Sequence, residues 1–515
     1  MRRLVPFAVY AVCAAAPASA QAPPDFDRFV TQVLSAFEVP GASVAIVKDG
    51  KVVLAKGYGV RKLGDPAPVN AETLFGIASN TKAFTATALG MLVEEGKIEW
   101  DAPVVRYLPA FALSDPYVTR ELTVRDLLVH RSGLGLGAGD LLWWPPSTYN
   151  RREISERLRY IPLATSFRSA YAYDNVLYLV AGEVIEAMSG MSWEDFVTRR
   201  ILQPLDMTGS NVHHSAAAHG GNVAATHAPV DGKVRVIAPF ASDNTNPAGG
   251  INAGATDMAK WMIAQLDSGR TTSGRLWSPR TTRELWSIVT PIPTGGPPPE
   301  FPALRTSFNG YGLGFGIRDY RGCKMLTHTG GLPGYLSRVA MLPDIKLGVA
   351  VLTNAESGPA FDAIVHRVVD HYLGATDTDW LAGYRRMVAR LDSLTRVEEA
   401  RTVASRNTAS RPSLPLARYA GTYRDSWYGD VTIAEEGGTL VMRFTRSPQL
   451  VGDMEHWQYD SFLVKWRDRE LRADAFVTFA LTPQGTIDQA RMAPASSSVD
   501  FSYDFQDLLL KPVAR

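Results

Sequence analysis

The sequence predicts a mixed helical and stranded domain, then a short linker, then a small antiparallel β module. Three observations carry this. Apolar runs on either side of Lys48-Asp49-Gly50 mark a hairpin. Helical spacing of apolar residues begins near Ser79 and again near Asn175. After Leu416 the spacing switches to alternation.

In chain order, Met1-Arg2-Arg3 is basic, Leu4 to Ala16 is mostly apolar, and Ala18-Ser19-Ala20 is a small-x-small site. Residues 1–20 therefore read as a signal peptide cleaved after Ala20, and the mature chain is expected to be periplasmic or secreted. The run is broken by Pro6 and is shorter than the ~20 residues a stable membrane span needs. Phe26, Phe29, Val33, Leu34 and Phe37 give a helix over 25–37, ended by Pro40-Gly41. Strands follow at 42–47 and 51–57. The helix from Ser79 stops at Gly96 and that from Asn175 at Gly190, a glycine beyond the last periodic residue suiting a C-cap. Ser192 caps another, with Asp195 three residues on. Residues 376–415 read as a charged helical linker with a Ser/Arg/Thr/Pro-rich end, and 416–515 as the β module.

The 515 residues carry 53 Lys and Arg against 52 Asp and Glu. That balance lacks the basic footprint of a nucleic-acid binder and points to a small molecule as partner. Cys13 leaves with the leader, so Cys323 has no partner and is expected only to pack. No metal or organic cofactor is indicated. His213, His214, His219 and His227 lack the one-face spacing of a zinc helix and read as structural. Gly133 to Ala138 matches a dinucleotide fingerprint in letters only, since no strand precedes it and Trp143-Trp144-Pro145-Pro146 follows it; a flexible loop is expected. Trp143, Trp144 and Tyr149 either line an apolar acyl pocket or pack that loop.

Ser79-Asn80-Thr81-Lys82 puts a hydroxyl and an amine on one helical face beside a helix N-terminus. Such a pair is either a cap with a solvated lysine or a nucleophile with its base. The second requires a lysine pulled down from its usual pKa of about 10.4. Tyr173-Asp174-Asn175 would add a phenol for proton transfer and an amide to hold Lys82. His328-Thr329-Gly330-Gly331 sits on a late strand, where glycines let a ligand approach the backbone.

These three motifs in this order resemble the serine β-lactamase and penicillin-binding protein superfamily, in its class C branch. The segments Pro40 to Val44, Leu127 to Leu134, Ile201 to Met207 and Pro247 to Ile251 are similar too. The resemblance implies an α+β, β-lactamase/transpeptidase-like fold over 21–375, an antiparallel sheet flanked by helices with a helical subdomain. The part after residue 416 is similar to the lipocalin-like module appended to such hydrolases. By resemblance, Ser79 forms an acyl-enzyme while Lys82 and Tyr173 share the proton traffic. Asn175, His328, Thr329, Gly330 and Gly331 bind substrate, with the N–H groups of Ser79 and Gly331 as oxyanion hole. Histidine at 328 departs from the lysine usual in the β-lactamases, which favours esters, amides or peptides over β-lactams. The alternatives are a true β-lactamase or D-alanyl-D-alanine carboxypeptidase, and a non-catalytic wall or ligand-binding protein that keeps the fold. The oligomeric state is left open.

Overall fold

A computed structural model describes residues 21–219 and 221–513. The expected signal peptide lies outside the described residues. No helix among those described is long and apolar enough to cross a membrane.

The chain opens with α1 (Phe26–Ala36), then the expected hairpin, β1 (Gly41–Lys48) and β2 (Lys51–Gly59). The helix that carries Lys82 is α2 (Thr81–Glu94), and α3 (Val176–Ser189) and α4 (Trp193–Val197) follow, the last capped by Ser192, which accepts from the Asp195 N–H at 3.1 Å. After α5 (Ala255–Leu266) come the other six strands of the main sheet: β3 (Thr290–Pro291), β4 (Asn309–Tyr311), β5 (Gly316–Tyr320), β6 (Cys323–Leu332), β7 (Tyr335–Leu342) and β8 (Leu347–Thr353). They join the hairpin in one antiparallel sheet of order β2-β1-β8-β7-β6-β5-β4-β3.

Both faces of this sheet are covered, and the strands read as continuous apolar runs for that reason. In β1, Val44 and Ile46 pack into one core with Phe26, Val30 and Val33 of α1 and with α6 (Gly358–Leu373). Ala45 and Val47 point the other way, toward α2 and α5, where Phe84 stacks on Trp261 at 3.6 Å between ring centroids. Side chains of this size contribute roughly 1.5–3 kcal/mol each when fully buried. Cys323 is partly buried against the first of these cores.

The expected helical linker is α7 (Trp380–Ala404), exposed over most of its length and tied to the domain by the bidentate Arg390–Glu300 pair at 2.8 and 3.1 Å. Residues 405–415 are a strap on the β module: Arg406 donates to the carbonyls of His456 and Trp457, and Ser413 to Asp460. The module has eight strands: β9 (Gly421–Asp425), β10 (Gly429–Glu436), β11 (Thr439–Phe444), β12 (Val451–Gln458), β13 (Ser461–Trp466), β14 (Ala475–Leu481), β15 (Ile487–Pro494) and β16 (Lys511–Pro512). The sheet runs β15-β14-β13-β12-β11-β10-β9-β16, and the Ala490–Leu510 bridge brings its two edges together, so it is nearly a closed barrel.

The module does not hang free. Arg157 donates to the Trp427 carbonyl at 2.7 Å, the Tyr149 hydroxyl donates to the Tyr428 carbonyl, and Arg472 forms a bidentate pair with Glu356. Tyr149 thus packs the modules together and is not among the residues that line the cavity beside Gly331.

Candidate active site

Ser79 lies in a single 3-10 turn, Ala78–Asn80, just ahead of α2 rather than inside it. Ala78 has φ 47°, a left-handed conformation that costs an L residue and is kept only where the surroundings enforce it. They do so here. The Ile77 carbonyl accepts from the Ser337 hydroxyl at 2.7 Å, and that hydroxyl accepts from the Asn80 amide at 2.8 Å, hanging the turn on β7. On β6, a Cβ at Gly330 would stand 2.2 Å from the Ile77 carbonyl oxygen. Only glycine lets the strand come this close, which is what the His-Thr-Gly-Gly motif supplies.

Lys82 is fully buried, and its Nζ has three neighbours: Ser79 Oγ at 3.0 Å, Asn175 Oδ1 at 2.7 Å and the Ala248 carbonyl at 3.1 Å. Burial pulls its pKa down to about 7, although Asp140 and Asp174 oppose the shift. A neutral amine has two N–H groups and one lone pair. With Asn175 and Ala248 taking the N–H groups, the lone pair faces the Ser79 hydroxyl, which then donates to it. Asn175 stands at the N-cap of α3 but does not cap it; its amide instead bridges Lys82 and Asp140, donating to Asp140 Oδ2 at 2.8 Å.

The Tyr173 ring lies 4.9 Å from Lys82 Nζ. Burial keeps its phenol protonated well beyond the usual range, opposed by the Ser79 hydroxyl. Ser79, Lys82, Tyr173 and Asn175 are therefore brought together, as expected.

On β6, Thr329 and Gly331 face outward while His328 and Gly330 face inward. His328 Nε2 is 2.7 Å from the Tyr311 hydroxyl and Nδ1 is 2.5 Å from the Thr329 carbonyl. Burial and the neighbouring Lys82 lower its pKa to about 3, so it is a neutral, fully engaged imidazole.

Three residues that sequence reasoning did not single out join the set. Asp140 is fully buried, accepts from Asn175 and from Trp143 Nε1, and is raised by burial to about 7. Asp174 is raised to about 7 by burial as well. His130 lies with its ring centroid 4.3 Å from that of Tyr173, the rings tilted by 34°, and accepts from the Asp174 N–H at 3.1 Å, with its own pKa driven well down by burial. Asp174 was visible only as the middle letter of its motif, and His130 only as part of a similar segment. Among the described residues, no group of three or more His, Cys, Asp or Glu side chains is arranged to hold a metal ion.

A serine, a deprotonatable lysine and a strand edge set against them, on a helix-flanked antiparallel sheet, define a serine hydrolase of the β-lactamase and penicillin-binding-protein kind. The chain belongs to the Beta-lactamase family, whose match spans residues 26–373. Residues 405–512, which include the barrel-like β module, match DUF3471, a domain of unknown function. Unguisins hydrolase ungD of Aspergillus violaceofuscus is 29% identical over 82% of this chain and 78% of its own. Its counterpart ungD' of Aspergillus campestris is 30% identical over 79% and 77%. The octameric penicillin-binding protein homologue from Pyrococcus abyssi shares the fold at a TM-score of 0.59, with 22% identity and 94% and 99% of the two chains covered.

Proposed function

We propose that this hydrolase cleaves a small ester, amide or peptide bond through an acyl-enzyme on Ser79. The observation that carries the reading is the Lys82 amine, buried, lowered to about 7 and 3.0 Å from Ser79 Oγ. In acylation the neutral amine takes the Ser79 proton as Oγ bonds to the carbonyl carbon. The oxyanion that forms faces the N–H groups of Ser79 and Gly331. When the intermediate collapses, the proton passes from Lys82 to the leaving oxygen or nitrogen, with the Tyr173 phenol as relay. Because burial holds that phenol protonated, Lys82 rather than Tyr173 is the base. Water then repeats the sequence on the ester and frees Ser79. Asn175 orients the Lys82 amine, and Thr329 contacts the polar end of the substrate.

Ester or peptide substrates are preferred to β-lactams in this reading, because His328 is neutral and engaged with Tyr311 and so offers no fixed cation to a β-lactam carboxylate. The leader at residues 1–20 supports export, and the motif order supports the class C branch. A binding protein that merely keeps the fold would not need an amine buried at such a cost beside a hydroxyl.

The test is covalent labelling of the mature chain with a fluorophosphonate, beside initial rates on p-nitrophenyl acetate and nitrocefin. Labelling of the wild type and its loss in Ser79→Ala are expected, with the ester turned over faster than nitrocefin. Equal labelling of Ser79→Ala would defeat the enzyme mechanism, and a faster nitrocefin rate would restore the β-lactamase alternative.

A further inference from the structure

The loop at 133–139, expected to be merely flexible, is the docking point of the β module. Asp504 of the module accepts from the N–H groups of Gly139 at 2.7 Å and Leu141 at 3.0 Å. Ser502 donates to Asp140 Oδ2 at 2.9 Å, extending the chain Lys82–Asn175–Asp140 into the module. Gly137 is needed for this contact, since a Cβ there would lie 2.8 Å from the Phe501 carbonyl oxygen. The Phe501 ring then stands edge-on to Tyr173, with centroids 6.1 Å apart.

Beside this contact lies a cavity of about 320 Å³ that touches β6 at Gly331 and Leu332. The catalytic domain supplies the aromatic wall of Trp144 stacked on Phe240 at 5.6 Å, and the module supplies Tyr503 and Asp500. Three carboxylates, of Glu356, Glu470 and Asp500, line it against one guanidinium, Arg472. Arg472 is spent on Glu356 in a bidentate pair at 2.6 and 2.7 Å, and Glu470 accepts from the Ala238 N–H at 2.9 Å. A net negative charge remains at the Asp500 rim. Trp144 is 7% exposed, and its Nε1–H is buried with no acceptor among the described residues, an unused donor in the wall of the cavity.

We infer that the C-terminal module builds the far half of the substrate site, completing beside Gly331 a cavity for an acyl group that bears a large apolar side chain and an adjacent ammonium. The inference rests on the serine-hydrolase mechanism proposed above. It gives the domain of unknown function a role in substrate selection, in which the aromatic wall takes the side chain and Asp500 takes the ammonium. Pinned through Ser502 and Asp504 to the loop that carries Asp140, the module holds this half of the site in register with the nucleophile.

The test compares kcat/KM of the full chain on p-nitrophenyl acetate, p-nitrophenyl 3-phenylpropanoate and the p-nitrophenyl ester of phenylalanine. Burial of the aromatic group is expected to raise the second rate constant over the first by roughly tenfold or more. Tyr503→Ala should cut that ratio by about tenfold, and Asp500→Asn should cut the ratio of the third ester to the second by about fivefold. Asp500 is on the exposed rim, so its variant tests the charge even where Tyr503→Ala folds poorly. Ratios unchanged in both variants, or an equal loss on all three esters, would overturn the inference. Turnover of the acetate that persists in Ser79→Ala would instead overturn the hydrolase mechanism on which it rests.

Discussion

Gly330→Ala is the most demanding test of how the site is assembled. The new Cβ would sit 2.2 Å from the Ile77 carbonyl oxygen, 2.5 Å from Ser337 Oγ and 3.0 Å from Ala78 Cβ. The nearest of these is backbone, which has no rotamer to swing away. The strand and the turn carrying Ser79 must therefore part by roughly 1 Å, a displacement that costs on the order of 100-fold in rate when it separates reacting groups. Overpacking of this kind also costs about 1–3 kcal/mol of stability. The expected variant is folded, with a midpoint of thermal unfolding a few degrees lower. Its kcat/KM on p-nitrophenyl acetate and its rate of fluorophosphonate labelling should fall together by about two orders of magnitude. Circular dichroism melting alongside both assays separates the terms. A loss of less than roughly threefold in both rates would refute the claim that close approach of β6 to the Ser79 turn sets the chemistry.

Lys82→Ala is expected to lower kcat by about 10²–10⁴ with the fold retained, as read from initial rates and melting. The rate should rise with pH through a limb near 7, because only the neutral Lys82 amine accepts the Ser79 proton and burial brings its pKa to about 7. Lys82, Asp140 and Asp174 share one buried site, so that limb belongs to the set, and Asp140→Asn should move it to lower pH by removing a charge that favours the ammonium. Asp126 bears on stability rather than rate. Burial raises its pKa, but Arg168, Thr123 and Arg131 outweigh that and hold it below the usual carboxylate range. A depressed carboxyl stabilises the fold above its unfolded pKa of about 3.9, and this contribution is lost as pH falls below it. Asp126→Asn should therefore melt at a lower temperature at neutral pH, and its melting temperature should change less than the wild type's on acidification.

The local parts of this molecule were legible in its sequence. The Asp-Gly hairpin, the helices ending at Gly96 and Gly190 and the Ser192 cap depend on neighbours a few residues away, and each formed where spacing indicated. Ser79, Lys82, Tyr173 and Asn175 were legible as two short motifs, because the resemblance joined them to each other and to the late His-Thr-Gly strand. What spacing could not carry was the state of each group. The motif alone places His328 toward the substrate, yet Tyr311 ties up its Nε2, and nothing about Tyr311 in the sequence signals that pairing. Asp140 stood in a segment noted for its glycines and tryptophans, and its partner Ser502 is some 360 residues away. Sequence alone gives Trp143, Trp144 and Tyr149 two possible roles, and the structure divides them: Trp144 lines the cavity, Trp143 donates to Asp140, and Tyr149 reaches the β module.

The first hairpin and the last strand of the catalytic domain are partners, Ala42 opposite Thr353 and Lys48 opposite Leu347. The ribosome therefore releases β1 some 300 residues before the strand that completes it. Folding of this domain must wait for the whole of it, and high contact order makes the search slow. The Ser79 turn waits too, since Ser337, on which it hangs, is itself on one of the last strands. A chain cut anywhere between the hairpin and β7 would yield no half-active fragment. It would leave β1 with one apolar edge unpaired, and such an edge recruits other chains more readily than substrate.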